Sequence, residues 1–515
     1  MNGAQSLIHT LYNGGINTCF MNPGTSEMHF VAALDSVPEM RAVLCLFEGV
    51  ATGCADGYAR MTGKPAATLL HLGPGLGNGI ANLHNARKAH SPIVNIVGDH
   101  ATYHVQYDAP LTSDIEGIAQ PVSGWVRTSP TAQSVAADGA AAIAAAQTPP
   151  GQVATLILPA NTAWNPANGP AQIQASPKPT AVPTKHIQNI ATLLKQQSDT
   201  VILIGDQVMS NETLSRLASC IASHTNARLM GPRAAARVSR GAGRPIIARL
   251  PYPVDQAIAM LEGTKHIVLV GTKEPVGFFA YPNKPSLMAP PDAQIHTLAE
   301  AHEDISDALN ILAKELNTPT EPPNLAQLKR PPLPTGPLTP DTIWTTLCAL
   351  MPENAIICDE SITSGRAASP LTETAPPHDW MHVTGGAIGQ GLPVATGAAV
   401  ACPNRQVFAM EADGSGMYTL QALWTQARES LNVVTVIFAN QTYQILQGEM
   451  QNVGGQEPGP KASEMLRIDQ PTLNWVSLSK GMGVPATRVD TADNFTTALQ
   501  QGMDTPGPFL IEAMI

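Results

Sequence analysis

The chain has 515 residues, enough for about three domains of ordinary size. Only 13% of the residues are charged, about half the usual fraction, and 43% are hydrophobic, so the composition argues against disorder. The formal net charge is −11, and such a surface would repel a nucleic-acid backbone. We therefore expect a compact, oligomeric protein without a nucleic-acid partner.

The cysteines and the apolar runs bear on location. Seven cysteines are scattered along the chain and form no CxxC or Cys/His metal-ligand spacing, which is typical of reduced thiols. No Lys or Arg precedes the first apolar stretch, and no apolar run approaches the ~20 residues that span a bilayer. These features predict a cytoplasmic protein with no membrane partner.

Two Pro-rich stretches without hydrophobic periodicity divide the chain. They run from Asn161 to Thr184 and from Asn317 to Asp341, and the second contains two Pro-Pro steps. Interpreted as linkers, they separate three domains of plausible size, 1–160, 185–316 and 342–515.

Short apolar runs alternate with longer helical patterns in each of these thirds. This alternation predicts an α/β fold of three doubly wound, helix-covered parallel sheets. Ligands bind such sheets at the carboxyl ends of the strands. The runs are 67–70, 93–97, 201–204, 266–270 and 433–438.

The most informative segment is an apolar strand, 406–411, that leads into Ala412-Asp413-Gly414-Ser415-Gly416 and then a helical stretch from Tyr418 to Ser430. Asp413 and Asn440 are 27 residues apart, one β-α-β crossover, so both should lie at the ends of neighbouring parallel strands. With the backbone carbonyl of Thr442, they form a hard oxygen set suited to Mg²⁺. Gly414 and Gly416 would let backbone N–H groups approach a phosphate. The alternative is an ordinary helix start in which Asp413 is the N-cap.

The same segment resembles the cofactor motif of thiamine-diphosphate enzymes, in which Gly-Asp-Gly is followed at this distance by Asn-Asn. Here Ala412 and Ala439 replace the first Gly and the first Asn, while Asp413 and Asn440 are retained. The replacement of Gly by Ala bears on the tightness of the first turn, not on the metal ligands.

A second block strengthens the resemblance. Glu48-Gly49, followed by Ala55-Asp56-Gly57-Tyr58-Ala59-Arg60, is similar to the family segment whose glutamate contacts N1′ of the cofactor's aminopyrimidine. The resemblance implies that Glu48, in an apolar setting of Leu46, Phe47 and Val50, activates the cofactor. The alternative is an ordinary carboxylate at a helix start.

Three further blocks follow in the family's order, at 22–27, 71–78 and 385–389, so the resemblance covers nearly the whole chain. It is closest to acetolactate synthases and extends to benzoylformate decarboxylase. It implies that the Gly386 carbonyl accepts from the cofactor's 4′-amino group and that Ile388 supports its bent shape, unless Ile388 is simply core. The implied cofactor-binding residues are Asn22, Pro23, Gly24, Thr25, Asn78, Gly386, Ile388, Gly414, Ser415 and Tyr443.

Only one histidine of the chain is matched to a functional histidine of the related enzymes. His71 matches a histidine of benzoylformate decarboxylase that faces the bound intermediate, although a lone His at a strand end is often structural. The His pair of pyruvate decarboxylases is replaced by 109–111, and the second histidine of the benzoylformate enzyme is replaced near Phe279. His100, His104 and His382 have no assigned role, and His382 is the best candidate among them to approach substrate.

The resemblance implies a reaction in which a 2-oxo acid loses CO₂ and the remaining acyl unit takes a proton or joins a second carbonyl compound. Few proton donors are expected near the site, which favours carboligation to an aldehyde or a second 2-oxo acid over simple decarboxylation. The family also implies a homodimer or homotetramer with the active site at the subunit interface.

Three alternatives stay open at this point. FAD is one, because 233–244 is rich in Arg and Gly, although no motif there is specific. A non-catalytic paralogue is disfavoured because Glu48, Asp413 and Asn440 are present. A nicotinamide oxidoreductase is disfavoured because 73–77 carries Gly at the wrong spacing.

Overall fold

The computed structural model describes residues 1–455 and 457–515, and within them the chain forms three β-sheets. The first sheet is formed by residues before 160. Its strands are β1 (Thr18–Asn22), β2 (Arg41–Leu44), β3 (Ala66–Leu70), β4 (Ile93–Asp99), β5 (Trp125–Thr128) and β6 (Val153–Pro159). The accompanying helices are α1 (Gly3–Asn13), α2 (Met28–Ala33), α3 (Glu48–Thr62), α4 (Leu72–Lys88), α5 (Ile115–Ala119), α6 (Val135–Ala146) and α7 (Ala160–Trp164). All six strands are parallel, in the order β2-β1-β3-β4-β6-β5.

The middle of the chain forms the second sheet. The strands of this part are β7 (Thr200–Ile204), β8 (Arg228–Gly231), β9 (Val238–Arg240), β10 (Ala248–Arg249), β11 (His266–Val270) and β12 (Gln294–Ala299). The helices are α8 (Thr184–Gln196), α9 (Asp206–Met209), α10 (Glu212–His224), α11 (Val254–Leu261) and α12 (Ile305–Leu316). Five of these strands form a parallel sheet in the order β10-β8-β7-β11-β12, which leaves out β9.

The last part of the chain forms the third sheet. Its strands are β13 (Ala355–Glu360), β14 (His378–His382), β15 (Val407–Ala412), β16 (Val433–Ala439), β17 (Ala486–Val489) and β18 (Phe509–Met514). The helices are α13 (Pro340–Leu350), α14 (Ala368–Leu371), α15 (Gly391–Ala401), α16 (Asp413–Gly416), α17 (Ala422–Arg428), α18 (Gln444–Asn452), α19 (Pro460–Glu464), α20 (Trp475–Gly481) and α21 (Ala492–Asp504). The order is β17-β18-β16-β15-β13-β14-β9, and β9 is antiparallel to β14.

The predicted α/β class with parallel, helix-covered sheets is confirmed. Two details differ from the sequence-based expectation. Strand β9, from the Arg- and Gly-rich stretch, joins the third sheet rather than the second. The helix expected over 418–430 is limited to α17, because Thr419, in the turn before it, donates a hydrogen bond to the Gly389 carbonyl at 2.9 Å.

The two Pro-rich stretches lack regular structure over most of their length. Residues 165–183 and 317–339, all of them described, contain no helix and no strand beyond isolated bridges. Helix α7 occupies the start of the first stretch, and α13 begins just inside the end of the second. We keep the division into 1–160, 185–316 and 342–515 as a proposal for the domain boundaries.

The first and third sheets share one buried apolar cluster. It contains residues of α3, such as Cys54 and Ala55, together with residues of α15, such as Val394 and Ala398. The two helices therefore join parts of the chain that are more than 300 residues apart in the sequence.

The cysteines and helices can be compared with the expectations on location. All seven cysteines are free thiols, six of them buried. Among the helices of the described residues, none has the length and apolar character required to cross a membrane.

His378 on β14 is buried against Arg240 of β9. Its Nδ1–H donates to the Pro376 carbonyl at 2.7 Å. Burial, followed by the nearby Arg240 charge, lowers the pKa of His378 to about 3. The folded protein therefore requires the neutral imidazole.

We predict that this histidine makes the fold sensitive to acid. The unfolded chain takes up the proton near pH 6.5 and the folded chain only near pH 3, so stability is lost as the pH falls through this window. Between about pH 7.5 and about pH 5.5 the free energy of unfolding should fall by roughly 1.4 kcal/mol from this group. In His378→Asn the amide can still donate to Pro376 but does not titrate, so urea unfolding should show a smaller fall. An equal fall in both proteins would contradict the prediction.

Candidate active site

Three neighbouring strands of the first sheet end beside one another. Strands β1, β3 and β4 are adjacent and parallel, so their carboxyl ends lie at the same edge of the sheet. Asn22 and Asp99 are the last residues of β1 and β4, and His71 directly follows β3. The 22–25 segment lies directly against His71, since a Cβ built on Gly24 would be 2.3 Å from His71 Nδ1. The structure thus brings together His71 and the Asn22-Pro23-Gly24-Thr25 segment that the sequence analysis singled out.

Glu27 is a residue of this edge that the sequence analysis quoted in a motif but did not select. Its Oε2 accepts from the Gly24 backbone N–H at 2.7 Å and lies 2.7 Å from His71 Nδ1. The carboxyl group is buried, and this burial raises its pKa, while His71 opposes that shift. The side chain of His71 is 24% exposed, so its ring is held by a buried acid and still faces the edge of the sheet.

Glu48 is the first residue of α3 and contacts another predicted site residue, Asn78 of α4. Asn78 Nδ2 donates to Glu48 Oε2 at 3.0 Å. Of the expected apolar neighbours, Val50 is fully buried but Leu46 is 46% exposed. The apolar setting of Glu48 is therefore open on one side in a single chain.

At the third sheet, β15 and β16 are adjacent and parallel, as the spacing of Asp413 and Asn440 predicted. Asp413 Oδ2 accepts from the Gln441 N–H at 2.6 Å, and Asn440 Oδ1 accepts from the Thr442 N–H at 3.1 Å. The structure therefore brings the Asp413 carboxylate against the 440–442 turn. Ala412 has an extended backbone, φ −83° and ψ 147°, so Ala fits where the family has Gly.

The donor chemistry of this turn fits Mg²⁺. The described residues contain no group of three or more His, Cys, Asp or Glu side chains that could hold a metal ion. A metal here would be held by one carboxylate, one amide and a backbone carbonyl, a set of hard oxygens that leaves positions for phosphate. Burial raises the pKa of Asp413 to about 6, because the ionised carboxylate is unfavourable in this environment without an opposite charge. A bound cation would supply that charge.

The residues expected around a diphosphate lie beside this turn. A Cβ built on Gly414 would be 2.5 Å from the Tyr443 ring, so the Gly414 backbone and Tyr443 are in contact. Ser415 is buried and donates to Glu411, a contact that the sequence analysis did not anticipate.

The 385–389 loop is held mainly by α4 of the first sheet. His84 Nε2 lies 3.0 Å from the Gly385 carbonyl oxygen, Asn85 exchanges hydrogen bonds with the Ala387 backbone, and Asn82 donates to the Gly389 carbonyl. Gly386 and Gly389 adopt positive φ values of 79° and 88°, which favour glycine. Ile388 is half-exposed, so the structure does not support the alternative that it is simply core.

Phe278 is a second residue that the sequence analysis missed. Its ring packs on Gly386, where a built Cβ would be only 2.5 Å away. Nothing in the local sequence marks this contact, since Phe278 lies in the middle third of the chain. Its neighbour Phe279 is 53% exposed.

A pair of buried acids lies behind the site. Glu360 and Glu411 are register partners on β13 and β15, and both are almost completely buried. Burial raises the pKa of Glu360 to about 7 and that of Glu411 well above its usual range. Neither residue lies in a motif that the sequence alone marks as functional.

The unassigned histidines are placed differently from one another. His382 lies 3.2 Å from the Ala235 carbonyl oxygen through Nδ1, and its Nε2 contacts Arg249, so neither nitrogen is free for substrate. Burial, followed by the Arg249 charge, lowers its pKa well below the usual value. His100 and His104 follow β4 at the same edge as His71, with their ring centroids 5.4 Å apart.

Comparison with known proteins identifies the family. Residues 1–120 match the thiamine pyrophosphate enzyme, N-terminal TPP binding domain, and residues 363–513 match the corresponding C-terminal TPP binding domain. The chain is 51% identical, over its whole length and 99% of the relative's, to the Mycobacterium tuberculosis protein named "Putative acetolactate synthase large subunit IlvX". It is 29% identical to benzoylformate decarboxylase of Pseudomonas aeruginosa, over 97% of this chain and 96% of that protein.

A solved structure agrees with this assignment. The thiamine diphosphate-dependent 4-hydroxybenzoylformate decarboxylase of Rhodococcus jostii RHA1 superposes with a TM-score of 0.85 at 25% identity, over 99% of this chain and 98% of that one. The chain belongs to the family of thiamine-pyrophosphate-dependent enzymes. Within that family it is of the acetolactate synthase and benzoylformate decarboxylase type.

Proposed function

We propose that this enzyme uses thiamine diphosphate and Mg²⁺ to decarboxylate a 2-oxo acid and to join the remaining acyl unit to a second carbonyl compound. The observation that carries the proposal is the pair of complementary sheet edges, with Glu48 and Asn78 on the first and Asp413 and the 440–442 turn on the third. The names of the relatives support the class of substrate. When bound, thiamine diphosphate supplies a nucleophilic carbon and a sink for the electron pair released with CO₂.

Glu48 and the 385–389 loop are proposed to bind the aminopyrimidine. The Glu48 carboxyl group would hold a proton at N1′, and Asn78 fixes its orientation through the 3.0 Å hydrogen bond. The Gly386 carbonyl would accept from the 4′-amino group, and the half-exposed Ile388 would support the bent conformation. Segment 22–25, at the edge beside His71, would complete this side of the pocket.

Asp413, Asn440 and the Thr442 carbonyl are the proposed Mg²⁺ ligands. Their oxygen chemistry and their position at adjacent strand ends support this role. Gly414 and Ser415, at the start of α16, and Tyr443, packed on Gly414, would contact the diphosphate.

The Glu27–His71 pair is proposed to handle protons in the substrate pocket. The buried Glu27 carboxyl orients the ring through its contact with Nδ1. In carboligation, His71 would deliver a proton to the oxygen of the acceptor's carbonyl group.

This pair also favours a second candidate, simple decarboxylation. The preference for carboligation depended on a shortage of proton donors, and His71 together with His100 supplies donors at the same edge. In this case His71 would protonate carbon and release an aldehyde.

Product analysis separates the two candidates. Purified enzyme with thiamine diphosphate and Mg²⁺ is incubated with a panel of 2-oxo acids, with and without an aldehyde acceptor, and the products are identified by NMR. A 2-hydroxy ketone supports carboligation, whereas an aldehyde as the sole product supports simple decarboxylation. No CO₂ release from any 2-oxo acid would overturn both.

FAD is left out of the proposal. Asp206 begins α9 at the carboxyl end of β7, and its buried carboxyl accepts from the Ala236 N–H at 3.1 Å. A buried acid at this position is unfavourable for the phosphates of a dinucleotide. If the purified protein shows flavin absorbance, the proposed set of cofactors must be extended to include FAD.

We predict that Asp413→Ala loses most of its affinity for thiamine diphosphate in the presence of Mg²⁺, because the only charged metal ligand is removed. Titration by fluorescence quenching should show a dissociation constant raised by about tenfold or more. Asp504→Ala removes an exposed carboxylate at the end of α21 and should bind as the wild type does. Wild-type affinity in Asp413→Ala would remove the metal assignment.

We predict that Glu48→Gln keeps the cofactor but loses its activation, because glutamine has the same shape without an acidic proton. Hydrogen-deuterium exchange at the cofactor's C2, followed by quenched NMR, should slow by about 100-fold or more. Glu39→Gln, an exposed glutamate of the same sheet region, serves as the control. Unchanged exchange in Glu48→Gln would exclude it from activation.

We propose that the active unit is a homodimer or homotetramer with the cofactor between subunits. Large apolar side chains are exposed near both edges, which supports an interface there. They are Met28, Leu46, Tyr103, Val105, Tyr107 and Leu111 in the first part of the chain, and Tyr418, Leu446 and Met465 in the last.

We predict that Glu48→Gln and Asp413→Ala proteins, each inactive alone, regain part of the activity when their subunits are exchanged. Some of the mixed dimers would carry one intact site, and obligate interfaces of this kind commonly exceed ~2,000 Å². Activity is measured after exchange has been verified by mass spectrometry of tagged subunits. Verified exchange without recovery, or a fully active monomer in sedimentation, would refute the shared site.

A further inference from the structure

Glu360 and Glu411 face each other on adjacent strands of the third sheet. They are direct partners in the register of β13 and β15, and their exposed fractions are 1% and 0%. Like charges directly opposite each other on neighbouring strands are destabilising, and burial increases the cost. The pair therefore needs a compensating role, which the contacts of each carboxyl group indicate.

Glu360 holds the end of the 385–389 loop. Its Oε1 accepts from the Gly389 N–H at 2.9 Å, and its Oε2 accepts from the Gly391 N–H at 2.6 Å. Gly391 is the first residue of α15, so one carboxyl group fixes both the loop and the start of the helix that follows. We call these two hydrogen bonds, from the Gly389 and Gly391 N–H groups to Glu360, the clamp. Gly386 and Ile388, proposed to contact the aminopyrimidine, lie just before it in the sequence.

Glu411 holds the other cofactor loop. Its Oε1 accepts from Ser415 Oγ and from the Ala412 N–H, and both donors belong to the turn that carries Asp413. Its Oε2 is buried without a hydrogen-bond partner among the described residues, and it faces Gly391, the residue that Glu360 holds: a Cβ built on Gly391 would be 2.3 Å from this oxygen.

We propose that the Glu360–Glu411 pair is a positioning device that fixes the 385–389 loop relative to the 412–416 turn. Neither acid is among the proposed cofactor-binding or metal-binding residues. The pair acts through backbone N–H groups on one side and through Ser415 on the other. This inference rests on the proposed assignment of the two loops to the two ends of thiamine diphosphate.

The two acids are not equivalent, and this gives a sharp test. In Glu360→Gln one acceptor oxygen becomes an NH₂ group that faces a backbone N–H, so the clamp is broken. In Glu411→Gln the amide oxygen can still accept from Ser415 and from the Ala412 N–H, and the new NH₂ group replaces an oxygen that has no hydrogen-bond partner among the described residues. The loss of order in the 385–391 segment and of cofactor affinity should therefore be larger for Glu360→Gln than for Glu411→Gln. If the two acids served only general stability, the two variants would lose similar amounts.

The first readout uses protein without cofactor. Hydrogen-deuterium exchange, measured on peptides covering 385–391, should rise by roughly tenfold in Glu360→Gln and by less in Glu411→Gln. Asp379→Asn is the matched control, because it removes a carboxylate of the same sheet whose contacts are Arg405 and Arg237. Its 385–391 peptides should exchange as in the wild type.

The second readout is the dissociation constant for thiamine diphosphate with Mg²⁺. It should rise by roughly 10- to 100-fold in Glu360→Gln, the range expected for lost hydrogen bonds to a charged group. If the wild type does not bind the cofactor, the proposed function fails, while the exchange readout still tests the clamp. If the wild type binds and Glu360→Gln matches it in affinity and in exchange, only the clamp is overturned.

A second variant covers the case in which Glu360→Gln does not fold. A Cβ on Gly391 would lie 2.3 Å from Glu411 Oε2 and 3.1 Å from Glu360 Oε2, so Gly391→Ala pushes the loop away while keeping both acids. It should show the same faster exchange in 385–391 and the same loss of affinity. Wild-type exchange and affinity in Gly391→Ala would overturn the proposal.

Discussion

The direct contact between helices α3 and α15 is the constraint on which the site depends. A Cβ on Gly57 would lie 2.1 Å from the Val394 carbonyl oxygen, and a Cβ on Gly397 would lie 1.9 Å from that of Cys54. No side chain fits at either position, so the backbones of the two helices touch. Helix α3 begins with Glu48 and α15 follows the 385–389 loop, so this contact fixes, within one chain, the position of Glu48 relative to the loop, and with it the geometry in which two chains would form the proposed shared sites.

A buried ion pair extends this contact. Arg60, at the end of α3, forms two hydrogen bonds with Asp56 and also donates to the His382 carbonyl and to Thr384. The side chains of both charged residues are almost completely buried, so removing one partner would leave a costly unpaired charge. The Ala55-to-Arg60 motif is thus explained by packing and by domain contact, whereas Glu48 is the residue of that block with a proposed chemical role.

Much of this arrangement could be predicted from the sequence, because it depends on local patterns. Alternating apolar strands and helices predicted the parallel sheets, and the spacing between Asp413 and Asn440 placed both residues at adjacent strand ends. The missed features depend on long-range packing. Glu27 meets His71 only because β1 and β3 are neighbours, and Glu360 meets Glu411 only because the strand order places β13 beside β15. Strand β9 was missed for the same reason: it has only three residues, and its pairing partner, β14, lies far away in the sequence.

The central claim is that the edge of the first sheet binds the aminopyrimidine and the edge of the third sheet binds Mg²⁺ and the diphosphate. A crystal structure of the enzyme with thiamine diphosphate and Mg²⁺ tests it most directly. The account predicts a metal bound by Asp413, Asn440 and the Thr442 carbonyl, with the aminopyrimidine between Gly386 and the Glu48 carboxyl of a second subunit. A cofactor bound away from Glu48, or a metal that does not contact Asp413, would contradict it.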